Sequence, residues 1–136
     1  MTGRSMRRAM LPNSESVIQQ RVCLYLKTHY PDAIFRSDFA SGLKLSIGQA
    51  TLHKSLQSSR AWPDLVIYEP RRSYQGLCIE LKREGVAVFK KDGSLRADEH
   101  LHEQAAMLAA LRHRGYIADF AIGYDAAVRM IEDYFA

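Results

Sequence analysis

Apolar and polar positions along the chain alternate with two different periods. Ile18, Val22, Tyr25 and Leu26 recur at helical spacing behind Asn13 or Ser14 as a cap, and Pro31 closes the run, which predicts a first helix. Residues 33–39 predict a strand that ends near Ser41-Gly42. A weaker helical pattern covers residues 46–57, with Ile47, Leu52 and Leu56 apolar and Lys44, His53 and Lys54 polar. Two runs rich in β-branched and apolar residues follow, 62–68 and 77–82. Pro70, Gly76 and the residues between them supply the punctuation of a hairpin loop, so the pair reads as adjacent antiparallel strands. Residues 86–89 and 94–96 flank Lys90-Lys91-Asp92-Gly93, an Asp-Gly turn that predicts a small exposed hairpin. Residues 97–114 form a long helical pattern with Leu101, Ala105, Leu108 and Leu111 on one stripe and Gly115 as terminator. A strand over 116–123 and a last helix, capped by Asp125 and carrying Val128, Ile131 and Tyr134, complete the chain. This order predicts a three-layer α/β arrangement with a mixed sheet flanked by helices.

Composition narrows the picture in three ways. At 136 residues, with 47% apolar and 25% charged positions, the chain suits one core, and no apolar run approaches the roughly 18 residues of a membrane span. Residues 1–12 hold Arg4, Arg7 and Arg8 without periodicity and end at Pro12. They read as a flexible basic arm before a single domain over 13–136, with no secretory signal, which points to the cytoplasm. A formal charge of +4 and a pI near 9.2 permit a polyanionic partner without requiring one. Cys23 and Cys78 have neither CxxC spacing nor a disulfide pattern, and both read as buried thiols.

The candidate chemistry lies in the central hairpin. Strand alternation puts Glu80 and Lys82 on one face and Ile79 and Leu81 on the other. With Tyr68 placed opposite Cys78, Val66 faces Glu80 and Asp64 faces Lys82, so Asp64, Glu80 and Lys82 converge. Two carboxylates and an ammonium at the end of an apolar hairpin are costly to desolvate, and a divalent cation is the usual compensation. The plain alternative is a cross-strand ion pair beside a strand-terminal acid, an arrangement worth little energy. Glu15 falls on the core side of the first helix, where its ordinary role is a first-turn acid favoured by the helix dipole. Gln104 falls on or beside the apolar stripe of the long helix and either lies at its edge or reaches into the polar site. Asp38 is a ligand candidate or loop polarity. His100 and His102 diverge on a helix, so together with His29, His53 and His113 they read as surface histidines. Lys44, Lys54, Arg71, Arg72, Lys90 and Lys91 are candidate phosphate contacts, against the alternative of solvated surface charge.

An acid on the first helix, Pro63-Asp64 at one strand, Glu80-Leu81-Lys82 on the next, and a following helix and strand resemble the PD-(D/E)XK nuclease superfamily. Pro63-Asp64-Leu65 behind a short basic helix, together with Glu103-Gln104 on a later helix, resembles more narrowly a VRR-NUC domain over about residues 13–135. The resemblance implies a restriction-endonuclease-like core. It implies that Asp64, Glu80, the Leu81 carbonyl and Glu15 bind Mg²⁺ or Mn²⁺, that Lys82 orients or activates water, and that Gln104 completes the site. Trp62 departs from the pattern, standing where related sequences often have a small residue. The implied activity is metal-dependent hydrolysis of DNA, with Holliday junctions or other branched DNA as the expected substrate of a homodimer. A restriction- or repair-type nuclease and a non-cleaving DNA-binding subunit are the alternatives.

Overall fold

The computed structural model describes residues 14–38 and 44–136. The basic arm, Asn13, Ser41 and Gly42 lie outside them. The elements are α1 (Glu15–His29), β1 (Phe35–Ser37), α2 (Ile47–Ser55), β2 (Leu65–Ile67), β3 (Leu77–Lys82), α3 (Glu99–His113), β4 (Ile117–Ile122) and α4 (Tyr124–Phe135). One four-stranded sheet runs in the order β1-β2-β3-β4. The first two pairings are antiparallel and β3 runs parallel to β4, giving the mixed sheet expected.

Each strand turns alternate residues to opposite faces, and the two faces carry separate cores. Leu65, Ile67, Leu77, Ile79, Leu81 and Ala121 pack against Ile18, Val22 and Leu26 of α1 and Ala127, Ile131 and Tyr134 of α4. Val66, Cys78 and Ala118 on the other face meet Leu108 and Leu111 of α3. Three layers follow from that division. Among the described residues, no helix is long and apolar enough to cross a membrane.

Several boundaries differ from expectation. Ser14 caps α1 by accepting from the Val17 N–H, and Ser46 forms a capping box with Gln49 at α2. Asp125 is not the cap of α4. Gly123 holds that position with φ 88°, and Asp125 falls in the first turn. Of the expected α4 stripe, Ile131 and Tyr134 are buried, while Ala127 takes the buried place given to Val128. On α3 the buried stripe is Leu101, Gln104, Leu108 and Leu111, with Gln104 where Ala105 was expected. The apolar residues of α2 enter no core, since no residue of that helix is buried.

The central hairpin pairs two residues out of the expected register. Val66 faces Cys78, and Leu65 faces Ile79. A slip of two preserves which face each side chain occupies but changes its partner. The cause lies in the loop. Arg71 and Tyr74 form a bridge around Arg72 and Ser73, both at positive φ. Three residues, 68–70, then face two, 75–76, before the ladder begins, and Pro70 has no N–H to give to it. Gly76 lies where the chain enters β3, and a Cβ there would come within 2.5 Å of the Ile67 carbonyl oxygen. Gly76→Ala is therefore expected to lower stability by about 1–3 kcal/mol, read as a lower denaturant midpoint at unchanged slope.

Candidate active site

Asp64 immediately precedes β2, and Glu80 lies in the middle of β3. Extending the observed register by one residue brings them opposite each other, so Asp64 faces Glu80 rather than Lys82. Both are buried, at 8% and 4% exposure. Asp64 Oδ2 accepts from the Leu81 N–H at 2.8 Å. Its backbone carbonyl accepts from the Asp38 N–H at 2.8 Å and the Ser37 hydroxyl at 2.9 Å. Gln19 of α1 in turn donates to Ser37 Oγ at 2.5 Å and the Asp38 carbonyl at 2.9 Å. The sequence reading missed this brace, because a glutamine on a polar helix face gives no signal of its own.

Gln104 does reach into the polar site. Its amide N–H donates to Glu80 Oε1 at 2.7 Å, while its carbonyl oxygen accepts from Lys82 Nζ at 2.8 Å. A glutamine is suited to this place because one end donates to a carboxylate and the other accepts from an ammonium. The second Glu80 oxygen, Oε2, is buried and receives no hydrogen bond from an N–H or O–H donor among the described residues, with the Asp64 carboxylate as its neighbour. Burial pushes the Glu80 carboxyl up to about 9, the Asp64 charge adds to the shift, and the Lys82 ammonium opposes it.

Other candidates fall elsewhere. Glu15 opens α1 half-buried and does not enter the hydrogen bonds that join Asp64, Glu80, Lys82 and Gln104. Among the described residues, no three histidine, cysteine, aspartate or glutamate side chains are placed to hold one ion, so Asp64 and Glu80 form a pair without Glu15. Arg71 and Arg72 lie in the hairpin loop, at the end of the ladder away from Asp64 and Lys82. There Arg72 donates to the Asp133 and Ala136 carbonyls, and the Arg71 guanidinium sits 5.0 Å from the Phe135 ring centre. Lys44 and Lys54 are exposed, and Lys90 and Lys91 occupy the exposed turn that the Phe89–Leu95 bridge closes. Phe89 meets Phe120 edge-on, and Phe120 is paired with Glu80, so this hairpin stands on the face of the carboxylate pair.

Two histidines are more than surface charge. His100 Nε2 lies 3.2 Å from Gln104 Nε2, a contact that their i, i+4 spacing could have signalled. His53 Nε2 lies 3.6 Å from Asp38 Oδ1. Of the two thiols, Cys78 is buried and its pKa is pushed up to about 12 by burial, whereas Cys23 is only half-buried.

No family model matches the sequence, and no curated protein matches it. A solved structure described as "VRR_NUC domain protein" superposes with a TM-score of 0.63 at 23% identity, over 90% of this chain and 88% of that one. A second, described as "VRR_NUC domain", gives a TM-score of 0.44 at 19% identity, over 86% and 97%. The first likeness establishes the fold.

Proposed function

We propose that this chain, which has the fold of a VRR_NUC domain protein, is a metal-dependent endonuclease that cuts branched DNA as a homodimer. One observation carries the reading. Glu80 Oε2 is a buried oxygen with no donor among the described residues, set against Asp64 in a carboxylate pair with a lysine close by. An oxygen left unsatisfied costs stability in the empty protein, and such costs collect where a ligand completes the site. Asp64 and Glu80 fit a divalent cation, Mg²⁺ or Mn²⁺, with the Leu81 carbonyl as a further ligand. Such a cation supplies charge neutralisation at the phosphate and lowers the pKa of a bound water.

The protein's own groups do the positioning. The Leu81 N–H holds Asp64 Oδ2 at 2.8 Å and so fixes the orientation of this carboxylate beside Glu80. Gln104 fixes Glu80 and Lys82 relative to each other. Of the three N–H donors of Lys82, one goes to Gln104, which leaves two for a phosphate oxygen or the attacking water. In the second role Lys82 orients the water and offsets the charge that develops on the phosphate.

A branched substrate suits a small domain that brings only one site of its own. Two copies related by a two-fold axis present two sites to two strands. The test is a panel of labelled four-way junction, flap, single-stranded and linear duplex DNA with Mg²⁺ or Mn²⁺, alongside a solution mass. Paired nicks in the junction and a mass twice 15.5 kDa are the expected results. A monomer cutting junction and duplex equally would favour a restriction- or repair-type nuclease. Binding without cutting under any cation would leave a DNA-binding subunit.

A further inference from the structure

The sheet face that holds Glu80 and Lys82 continues past Asp64 toward β1. Arg36 pairs with Val66 and so shares its face, and the irregular segment that leads through Trp62 and Pro63 into Asp64 borders the same edge, where Arg36, Trp62 and Tyr68 line one cleft. Helix α3 covers this face over Val66, Cys78 and Ala118. Beyond that cover lies a cleft of about 400 Å³, lined by Arg36, His53, Gln57, Trp62, Pro63 and Tyr68 among others. Its size falls within the roughly 300–1,000 Å³ of small-molecule sites. Its lining is specific in kind. Trp62 and Tyr68 remain 37% and 47% exposed, offering flat aromatic surface. Beside them stand the Arg36 guanidinium, the Gln57 carboxamide and the His53 imidazole, whose Nε2 lies 3.6 Å from the Asp38 carboxylate, also in the lining. A nucleobase needs a π-face to stack on, polar groups for its edge and a cation for its phosphate, and this lining has all three.

We propose that this cleft takes an unpaired nucleobase of the strand being cut, stacked on Trp62. The inference rests on the nuclease reading for its substrate but on separate residues for its geometry. One residue, Pro63, separates Trp62 from Asp64, so their Cα atoms are at most about 7 Å apart. That spans about two nucleotide steps of a stacked strand, at roughly 3.4 Å per step. The base in the cleft thus belongs to a nucleotide within about two steps of the phosphate at the carboxylate pair. A paired base is enclosed in its duplex stack and cannot enter without being extruded. The cleft therefore favours DNA in which a nucleotide near the cut is unpaired or readily extruded, as at a branch point.

Trp62 is the single tryptophan of the chain, so intrinsic fluorescence reports this cleft directly. The experiment titrates the protein, in EDTA at low salt, with an oligothymidylate and with an abasic sugar–phosphate strand of equal length. The base-containing strand is expected to quench Trp62, and the abasic strand is expected to bind without quenching. Measured by a label on the DNA, Trp62→Ala weakens the base-containing strand about 10-fold and Trp62→Phe restores most of the loss. Equal quenching by both strands, no quenching by oligothymidylate, or unchanged binding by Trp62→Ala overturns the proposal. Junction cleavage with Mn²⁺ separates the two readings. Cleavage without oligothymidylate quenching removes the base cleft alone, and quenching without cleavage keeps the cleft and removes the nuclease.

Discussion

Glu80→Gln is expected to yield a protein more stable than the wild type without metal and inactive with it. Glu80 is 4% exposed and its Oε2 has no donor among the described residues, while its pKa is pushed up from 4.5 to about 9, first by burial and then by the charge of Asp64. The folded state therefore holds a proton that the unfolded chain releases. Between about pH 4.5 and 9, unfolding sheds that proton, so rising pH favours the unfolded state and erodes the contribution of this group. A glutamine keeps the oxygen that accepts from Gln104, carries no charge, and has an N–H to offer toward Asp64. The substitution should add about 1–3 kcal/mol at pH 8 and little at pH 5, measured by denaturant titration of metal-free protein. Excess Mn²⁺ should raise the midpoint of the wild type and not of the variant. Cleavage should fall about 1,000-fold, the scale of several kcal/mol of lost transition-state stabilisation. Equal midpoints at pH 8, or a Mn²⁺ shift in both proteins, would contradict this.

Lys82→Ala is the second large effect, and its profile differs. The ammonium is half-buried and held by Gln104 Oε1, so its removal deletes a fixed positive charge without emptying the carboxylate pair. Cleavage should fall about 100- to 1,000-fold, while the midpoint shift on adding Mn²⁺ persists. Gln104→Leu should cost less, about 10- to 100-fold, because it loosens Glu80 and Lys82 without removing either. A Lys82→Ala protein that cuts like the wild type, or a Gln104→Leu protein more impaired than Lys82→Ala, would show that these contacts only support the fold.

The order and type of the elements were legible because the last helix is strongly amphipathic, β3 is a compact apolar run, and Ser14 and Gly115 mark helix ends. Face assignment survived the error in register, since a two-residue slip keeps Asp64, Glu80 and Lys82 on one side. Their partners were less legible. The slip depends on how Arg72 and Ser73 turn and on Pro70 leaving one arm longer, and loop length alone does not reveal that. Gln104 was legible only as a choice between the edge of the stripe and the polar site, for a physical reason. Apolar periodicity favours Ala105, but the register of α3 on the sheet places the amide where Glu80 needs a donor and Lys82 an acceptor. Glu15 shows the converse, an acid with helical spacing toward the core that stays apart from the carboxylate pair. Helix α2 forms as its weak pattern indicated, although Ile47, Leu52 and Leu56 stay exposed and enter no core.

The most direct measurement compares nicking of a labelled four-way junction by the wild type and Asp64→Asn, each with Mn²⁺ and with EDTA. The asparagine retains an oxygen to accept from the Leu81 N–H, so the fold is preserved while one negative charge is lost. Nicking by the wild type with Mn²⁺, abolished by EDTA and reduced about 1,000-fold in Asp64→Asn, is the predicted result. Nicking that persists in EDTA, or equal rates in the two proteins, would contradict a metal-dependent site built on Asp64 and Glu80.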